Sequence, residues 1–165
     1  MRKMRKAEIT RIVELATVQH FNYRTNIIVP NVSWGLGLRY EADLVVLRPS
    51  GFAAEVEVKA SASDIKKDLE KRHGHGGRHY TLKLLFRELW FAVPEHLMFN
   101  PHIPDRAGIL FTRYDHRNIG KAYVLRNPKI QKNAVKFDAK LKEKLLHLGV
   151  MRVWGLKENL IKKYK

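Results

Sequence analysis

The sequence predicts a single α/β domain, and three observations carry the prediction. The chain has 165 residues, close to the roughly 100 to 200 of one domain. Its residues are 45% apolar, enough for one core and too many for a disordered or fibrous chain. Helical and strand periodicities alternate in the order helix, three strands, helix, further strands and terminal helices, a layered pattern that fits neither a bundle nor a β-sandwich.

From Lys6 to His20, Ile9, Ile12, Val13 and Ala16 recur at helical spacing, with Arg11 and Glu14 off the apolar stripe. Asn26 to Trp34 is predicted as a strand that begins Ile27-Ile28-Val29 and meets Pro30, which has no N–H for a ladder and so suits an edge. Ala42 to Leu47 and Phe52 to Lys59 follow as strands joined by Pro49-Ser50-Gly51, which predicts a hairpin. Ser61 or Ser63 then caps a helix reaching about His73, and Ser61 with Asp64 has the spacing of a capping box. Gly74-His75-Gly76-Gly77 is a loop. Glu88 to Val93, before Pro94, is predicted as a buried strand, and Gly108 to Tyr114 and Lys121 to Leu125 as two more. Phe137, Leu141, Leu145 and Leu148 predict a helix stopped at Gly149, with another over Leu156 to Lys163.

Thirty-two Lys and Arg against 16 Asp and Glu give a net charge of +16, so the surface attracts polyanions and nucleic acid is the first partner expected. The charge is uneven. Residues 126 to 165 hold twelve Lys or Arg against only Asp138, Glu143 and Glu158. Arg126-Asn127-Pro128-Lys129 reads as a connector. The expected division is a core over 1–126 and a basic, mainly helical extension over 127–165 packed on the same domain. The absence of cysteine excludes a disulfide framework and cysteine-dependent metal or thiol chemistry, and it suits a reducing compartment. No run of 18 apolar residues exists to span a membrane, and Glu8, Arg11 and Glu14 interrupt the apolar stretch a signal peptide needs. A cytoplasmic protein with no membrane partner is expected.

The chemistry is concentrated in Glu41-Ala42-Asp43-Leu44-Val45-Val46 and Ala54-Glu55-Val56-Glu57-Val58-Lys59. Strand alternation puts Ala54, Val56 and Val58 on a core face, and Glu55, Glu57 and Lys59 on a charged one. A three-residue turn at Pro49 to Gly51 sets Arg48 opposite Phe52 and, by the same register, Asp43 opposite Glu57. Two carboxylates about 5 Å apart repel by about 3 kcal/mol at an effective dielectric near 20. Such a pair calls for a cation: a Lys or Arg that neutralises it, or a divalent ion that also activates water. Mg²⁺ suits the second option because it takes oxygen ligands and keeps positions for water and phosphate, with the Val58 carbonyl as a further ligand.

An acidic residue in one strand, then Glu57-Val58-Lys59 in the next strand of a hairpin, within the order α-β-β-β-α-β, resembles the PD-(D/E)XK, or restriction-endonuclease-like, nucleases. Ala42 stands where the family's name has proline. A closer resemblance runs from about Asn31 to Pro94, through Glu57-Val58-Lys59-Ala60-Ser61, Asp64, Asp68, Lys71 and Trp90-Phe91-Ala92-Val93-Pro94. Those residues look like the MmcB-type DNA-repair nucleases. Pro30-Asn31-Val32-Ser33-Trp34-Gly35 with Glu41-Ala42-Asp43 also look like small phage and bacterial proteins of the same superfamily.

The resemblance implies a restriction-endonuclease-like core and a Mg²⁺-dependent DNA endonuclease, with Mn²⁺ able to substitute, acting in repair or on branched or phage DNA. It makes Asp43 and Glu57 metal carboxylates and Lys59 the family lysine. Lys59 is a poor base in the free protein, since neighbouring carboxylates stabilise ammonium. Glu14 becomes an extra ligand or water anchor, against the plainer reading of a helix-surface charge paired with Arg11 or Thr10. Glu41 is expected opposite Lys59, in a structural ion pair or a catalytic role. Asp64 and Asp68 are expected to pair with Lys67, Lys71 or Arg72 along their helix.

Lys66, Lys67, Lys71, Arg72, His73 and His75 are the expected DNA-backbone contacts. His73, His75 and His79 lack the spacing of a zinc site. Trp34 and Trp90 read as core, and Arg24 as a surface charge. A noncatalytic nucleic-acid-binding protein that uses its basic extension is the competing function. A two-fold homodimer would suit duplex or junction cutting, although no heptad or apolar patch marks an interface.

Overall fold

The computed structural model describes residues 4–33, 35–38, 40–70, 85–115 and 120–162. The elements are α1 (Lys6–His20), β1 (Ile27–Val32), β2 (Ala42–Leu47), β3 (Ala53–Val58), α2 (Ala62–Glu70), β4 (Phe86–Pro94), β5 (Gly108–Tyr114), β6 (Gly120–Arg126) and α3 (Ala139–Lys162). The fold is mixed α/β, with six strands in one sheet in sequential order. β1, β2 and β3 form an antiparallel meander, β3, β4 and β5 run parallel, and β6 returns antiparallel. The parallel step from β3 to β4 is the crossover that contains α2, as such a connection requires.

Apolar side chains divide between the two faces. On one, Val13 and Phe21 of the α1 segment pack with Leu44, Val46, Ala54, Val56, Trp90, Ala92 and Leu110. On the other, α2 sends Ile65 against Leu89, Phe91, Val93 and Ile109. Beside it, Phe137 and Leu145 close over Val29, Val32, Val45 and Leu47. One glycine is required by this packing: a Cβ on Gly108 would lie 2.4 Å from Cε3 of Trp90, its partner across the ladder.

The hairpin register agrees with the sequence expectation. Leu44 faces Val56, Val45 faces Glu55, Val46 faces Ala54 and Leu47 faces Ala53. Arg48 N–H donates to the Phe52 carbonyl at 3.0 Å, and Gly51 N–H to the Arg48 carbonyl at 2.9 Å with Gly51 at φ +84°. Glycine takes that left-handed conformation without steric cost. Pro30 lies in β1, which is an edge strand as expected.

The charged face of β3 is interior: Glu55, Glu57 and Lys59 are all buried, because α2 and the segment leading to α3 cover that side of the sheet. Gly149 does not stop a helix as expected, for α3 runs unbroken for 24 residues. Gly149 instead permits close approach, since a Cβ there would lie 3.3 Å from Val29 Cγ2.

After β6 the chain crosses back over the sheet as a strap. Lys129 N–H donates to Arg106 O, Gln131 N–H to Arg87 O and Phe137 N–H to Gly51 O. α3 then packs on β1. No helix among the described residues is long and apolar enough to cross a membrane.

Candidate active site

The site lies where β3 ends, just past the hydrogen-bonded pair Leu44↔Val56. Asp43, the residue before Leu44, turns its carboxylate across the gap and accepts the Val58 N–H at 2.8 Å through Oδ2. Lys59 follows one residue later, its own N–H bonded to the Ala92 carbonyl of β4 at 3.0 Å. Backbone bonds on both sides therefore fix where its side chain starts. Lys59 Nζ donates to Glu57 Oε2 and, at 3.1 Å, to Asp43 Oδ2. Asp68 of α2 brings Oδ1 to 3.8 Å of the same nitrogen.

Lys59 is 8% exposed, Glu57 3% and Asp68 4%. Burial alone would lower the Lys59 pKa, but the carboxylates of Glu57, Asp43 and Asp68 outweigh it and hold the value above that of a free lysine. The side chain is an ammonium and cannot accept a proton in this state, in line with the sequence argument. Glu14, half-buried on α1, has its pKa raised by burial and then by the Asp43 charge, with Arg11 opposing. The charges that Glu14 feels are thus those of Asp43 and Arg11.

Carboxylates from three elements thus gather about one ammonium: Asp43 from β2, Glu57 from β3 and Asp68 from α2, with Glu14 of α1 coupled to Asp43. Three carboxylates lie within reach of one buried ammonium, and a further cation sharing the site would lower their mutual repulsion. The donor set suits a hard divalent ion such as Mg²⁺, which takes carboxylate oxygens. Asp43 is placed to offer one: both of its described hydrogen bonds fall on Oδ2, and its side chain is 34% exposed. Among the described residues no three His, Asp or Glu side chains are already drawn into a metal-holding group, because Lys59 Nζ stands between the carboxylates. The position is also one where open α/β sheets bind ligands, outside the carboxyl end of a parallel strand.

The expected residues are not all brought together. Val58 enters through its N–H. Glu41 does not face Lys59: its carboxylate lies 3.9 Å from Arg152 of α3, because α3 covers β1 and reaches past it to the loop before β2. Asp64 accepts Lys6 Nζ at 2.6 Å and the Ser61 hydroxyl at 2.7 Å, forming the predicted N-cap instead of pairing along the helix. Asp68 was read as a helix-surface charge. The overlooked signal is its spacing, three residues after the buried Ile65, which puts a carboxylate on the buried stripe of α2. Lys66 and Lys67 are exposed on α2. Lys71, Arg72, His73, His75 and His79 lie outside the described residues, as do Trp34 and the Gly74–Gly77 loop. Trp90 is core, its Nε1–H bonded to Glu88 at 2.8 Å. Arg24 is exposed beside Tyr23.

No family profile matches the chain, and no curated protein resembles it significantly. Among solved structures, a protein of unknown function from Silicibacter pomeroyi is similar, with a TM-score of 0.62 and 15% identity over 99% of this chain and 96% of that one. At that identity the likeness is one of fold alone.

Proposed function

We propose that the protein is a metal-dependent DNA endonuclease of the PD-(D/E)XK type, with a restriction-endonuclease-like core, that hydrolyses phosphodiester bonds in repair or on branched or phage DNA. The observation that carries this reading is the convergence of Asp43, Glu57 and Lys59 at the end of β3 on a strongly basic chain. Asp43 and Glu57 would hold Mg²⁺, or Mn²⁺ in its place, and the Val58 carbonyl is the proposed third ligand. The ion would supply a water of lowered pKa and offset the charge of the scissile phosphate.

The protein's own groups have separate tasks. Lys59, kept as ammonium, donates to a phosphate oxygen and stabilises the charge that develops there, or orients the attacking water. Glu14, whose carboxyl binds its proton more readily than usual, is the candidate to anchor that water or take a proton from it. Lys66 and Lys67 meet backbone phosphates, with Lys71, Arg72, His73 and His75 proposed to extend that contact.

The test is cleavage of single-stranded, duplex, flapped and four-way DNA by purified protein with Mg²⁺ or Mn²⁺. Cutting that disappears in Lys59→Ala and in chelator supports the reading; no cutting of any substrate sinks it. A second reading also has an observation in its favour. Lys59 already bonds both strand carboxylates, as a structural ion cluster would in a noncatalytic nucleic-acid-binding protein. That protein would bind DNA equally well as Asp43→Asn and Glu57→Gln, without any divalent ion. Deleting the extension from residue 128 onward cannot decide the matter, since Phe137 and Leu145 belong to the core. Lys-to-Ala changes on exposed extension side chains are the sound substitute, and a flatter salt dependence of binding is expected if they touch phosphates.

A further inference from the structure

The C-terminal half of α3 presents a face that no described residue covers. Leu145 is buried on β1, yet every apolar side chain from Val150 to Ile161 is 52% to 63% exposed, Trp154 and Leu160 among them. Monomers rarely expose a contiguous apolar patch above roughly a few hundred Å². Seven large side chains more than half exposed approach the ~800 Å² per partner that a standard protein interface buries.

The spacing of the face says what it fits. Leu146, Val150, Val153, Lys157 and Leu160 follow the four-three alternation of a coiled-coil seam, the geometry in which one helix meets another. Reading two helices broken at Gly149 hides this heptad; the continuous α3 reveals it. Lys157 then selects the direction. In a parallel pair it would meet its own copy across the seam, like charge against like. In an antiparallel pair centred on Val153 it meets the Gly149–Val150 turn, and its stem already lies along Trp154 with Nζ 4.8 Å from the ring centroid. The same centre sets Leu146 opposite Leu160 of a second copy and brings Glu143 towards the basic end that carries Lys162. A groove of about 490 Å³ bordered by Gly35, Leu146, His147 and Val150 lies where Leu160 and Ile161 of that copy would arrive.

We propose that α3 pairs antiparallel with α3 of a second copy of the chain, giving a two-fold dimer with its axis near Val153. This holds whether or not the protein cuts DNA. Analytical ultracentrifugation of the full chain should give twice the 19.3 kDa of one copy, and Val153→Asp should raise the dimer dissociation constant at least about a hundredfold with an unchanged far-ultraviolet spectrum. The absence of native cysteine provides a check that does not depend on a disruptive variant. Under copper-phenanthroline oxidation, Val153→Cys should crosslink, and Leu160→Cys should not, because its two copies would sit ~20 Å apart along the paired helices at 1.5 Å per residue. A sedimenting monomer with no crosslink at position 153 overturns the proposal. Crosslinking at 160 as fast as at 153 also overturns it, by requiring a parallel pair. A monomer that binds phosphatidylserine–phosphatidylcholine vesicles through Trp154 would reassign the face to an anionic lipid surface.

Discussion

Two ion clusters sit at opposite ends of the hairpin strands and differ in balance. Beyond the end of β2, Arg48 meets Glu88 at 2.7 Å, and the Trp90 indole N–H completes the same oxygen. One cation answers one carboxylate, and the guanidinium lies over Phe21. At the start of β2, three carboxylates share the single ammonium of Lys59, with Glu14 close by. The first cluster is a simple pair. The second gathers several carboxylates around a buried ammonium, and such a cluster of interacting titratable groups is where function is to be sought.

The comparison can be broken most decisively at its two cations. Lys59→Met removes the ammonium that Glu57, Asp43 and Asp68 share and should cost about 3–5 kcal/mol in urea unfolding. Arg48→Met, at a partly exposed pair, should cost no more than ~1–2 kcal/mol; equal losses would erase the distinction. The carboxylates come next and should diverge in size. Glu88→Gln is expected to lose ~1–2 kcal/mol, whereas Glu57→Gln, which takes a buried charge away from Lys59, should lose about 2–3 kcal/mol.

Glu14 sharpens the contrast through pH. Its pKa is raised by burial and Asp43, so its ionisation disfavours the folded state. That cost is absent in acid and grows as pH rises from the ordinary glutamate pKa through the folded-state one. Glu14→Gln should therefore melt higher than the parent at pH 7 and alike at about pH 3. Solvent screening at a half-buried site limits the gain to a few tenths of a kcal/mol.

Asp64 should behave oppositely and by the smallest amount. Burial would raise its pKa, but the hydrogen bonds of Lys6 and Ser61 lower it overall. Its stabilisation is present above the ordinary aspartate pKa and lost as pH falls below about 4. Asp64→Asn should cost a few tenths of a kcal/mol at pH 7 and nothing near pH 2, as read by thermal melts.

The hairpin was legible because its turn is short. Pro49-Ser50-Gly51 leaves one register, and that register alone brings Asp43 towards Glu57. The burial of Glu55, Glu57 and Lys59 was not legible: alternation separates an apolar face from a charged one, and only the crossing of distant segments over the sheet makes both faces interior. Glu41 illustrates the same limit, since its partner Arg152 lies 111 positions away on a helix docked by tertiary contacts. Gly149 was misread for a related reason. A glycine that ends a helix and one that lets a helix approach a strand are identical in sequence, and Val29 decides between them.

The strap between β6 and α3 has a consequence for the order of assembly. Val29 and Val32 of the first strand share a cluster with Phe137 and Leu145 from the far end of the chain. During synthesis β1 can pair with β2 within some twenty residues of emerging, yet it keeps an uncovered apolar side until about ninety further residues, as far as Phe137, have left the ribosome. Closing so long a loop is slow, and a bare edge strand is the usual seed of mispairing in the meantime. Pro30, in the middle of that edge, withholds the N–H a stray strand would use and so guards it while it waits.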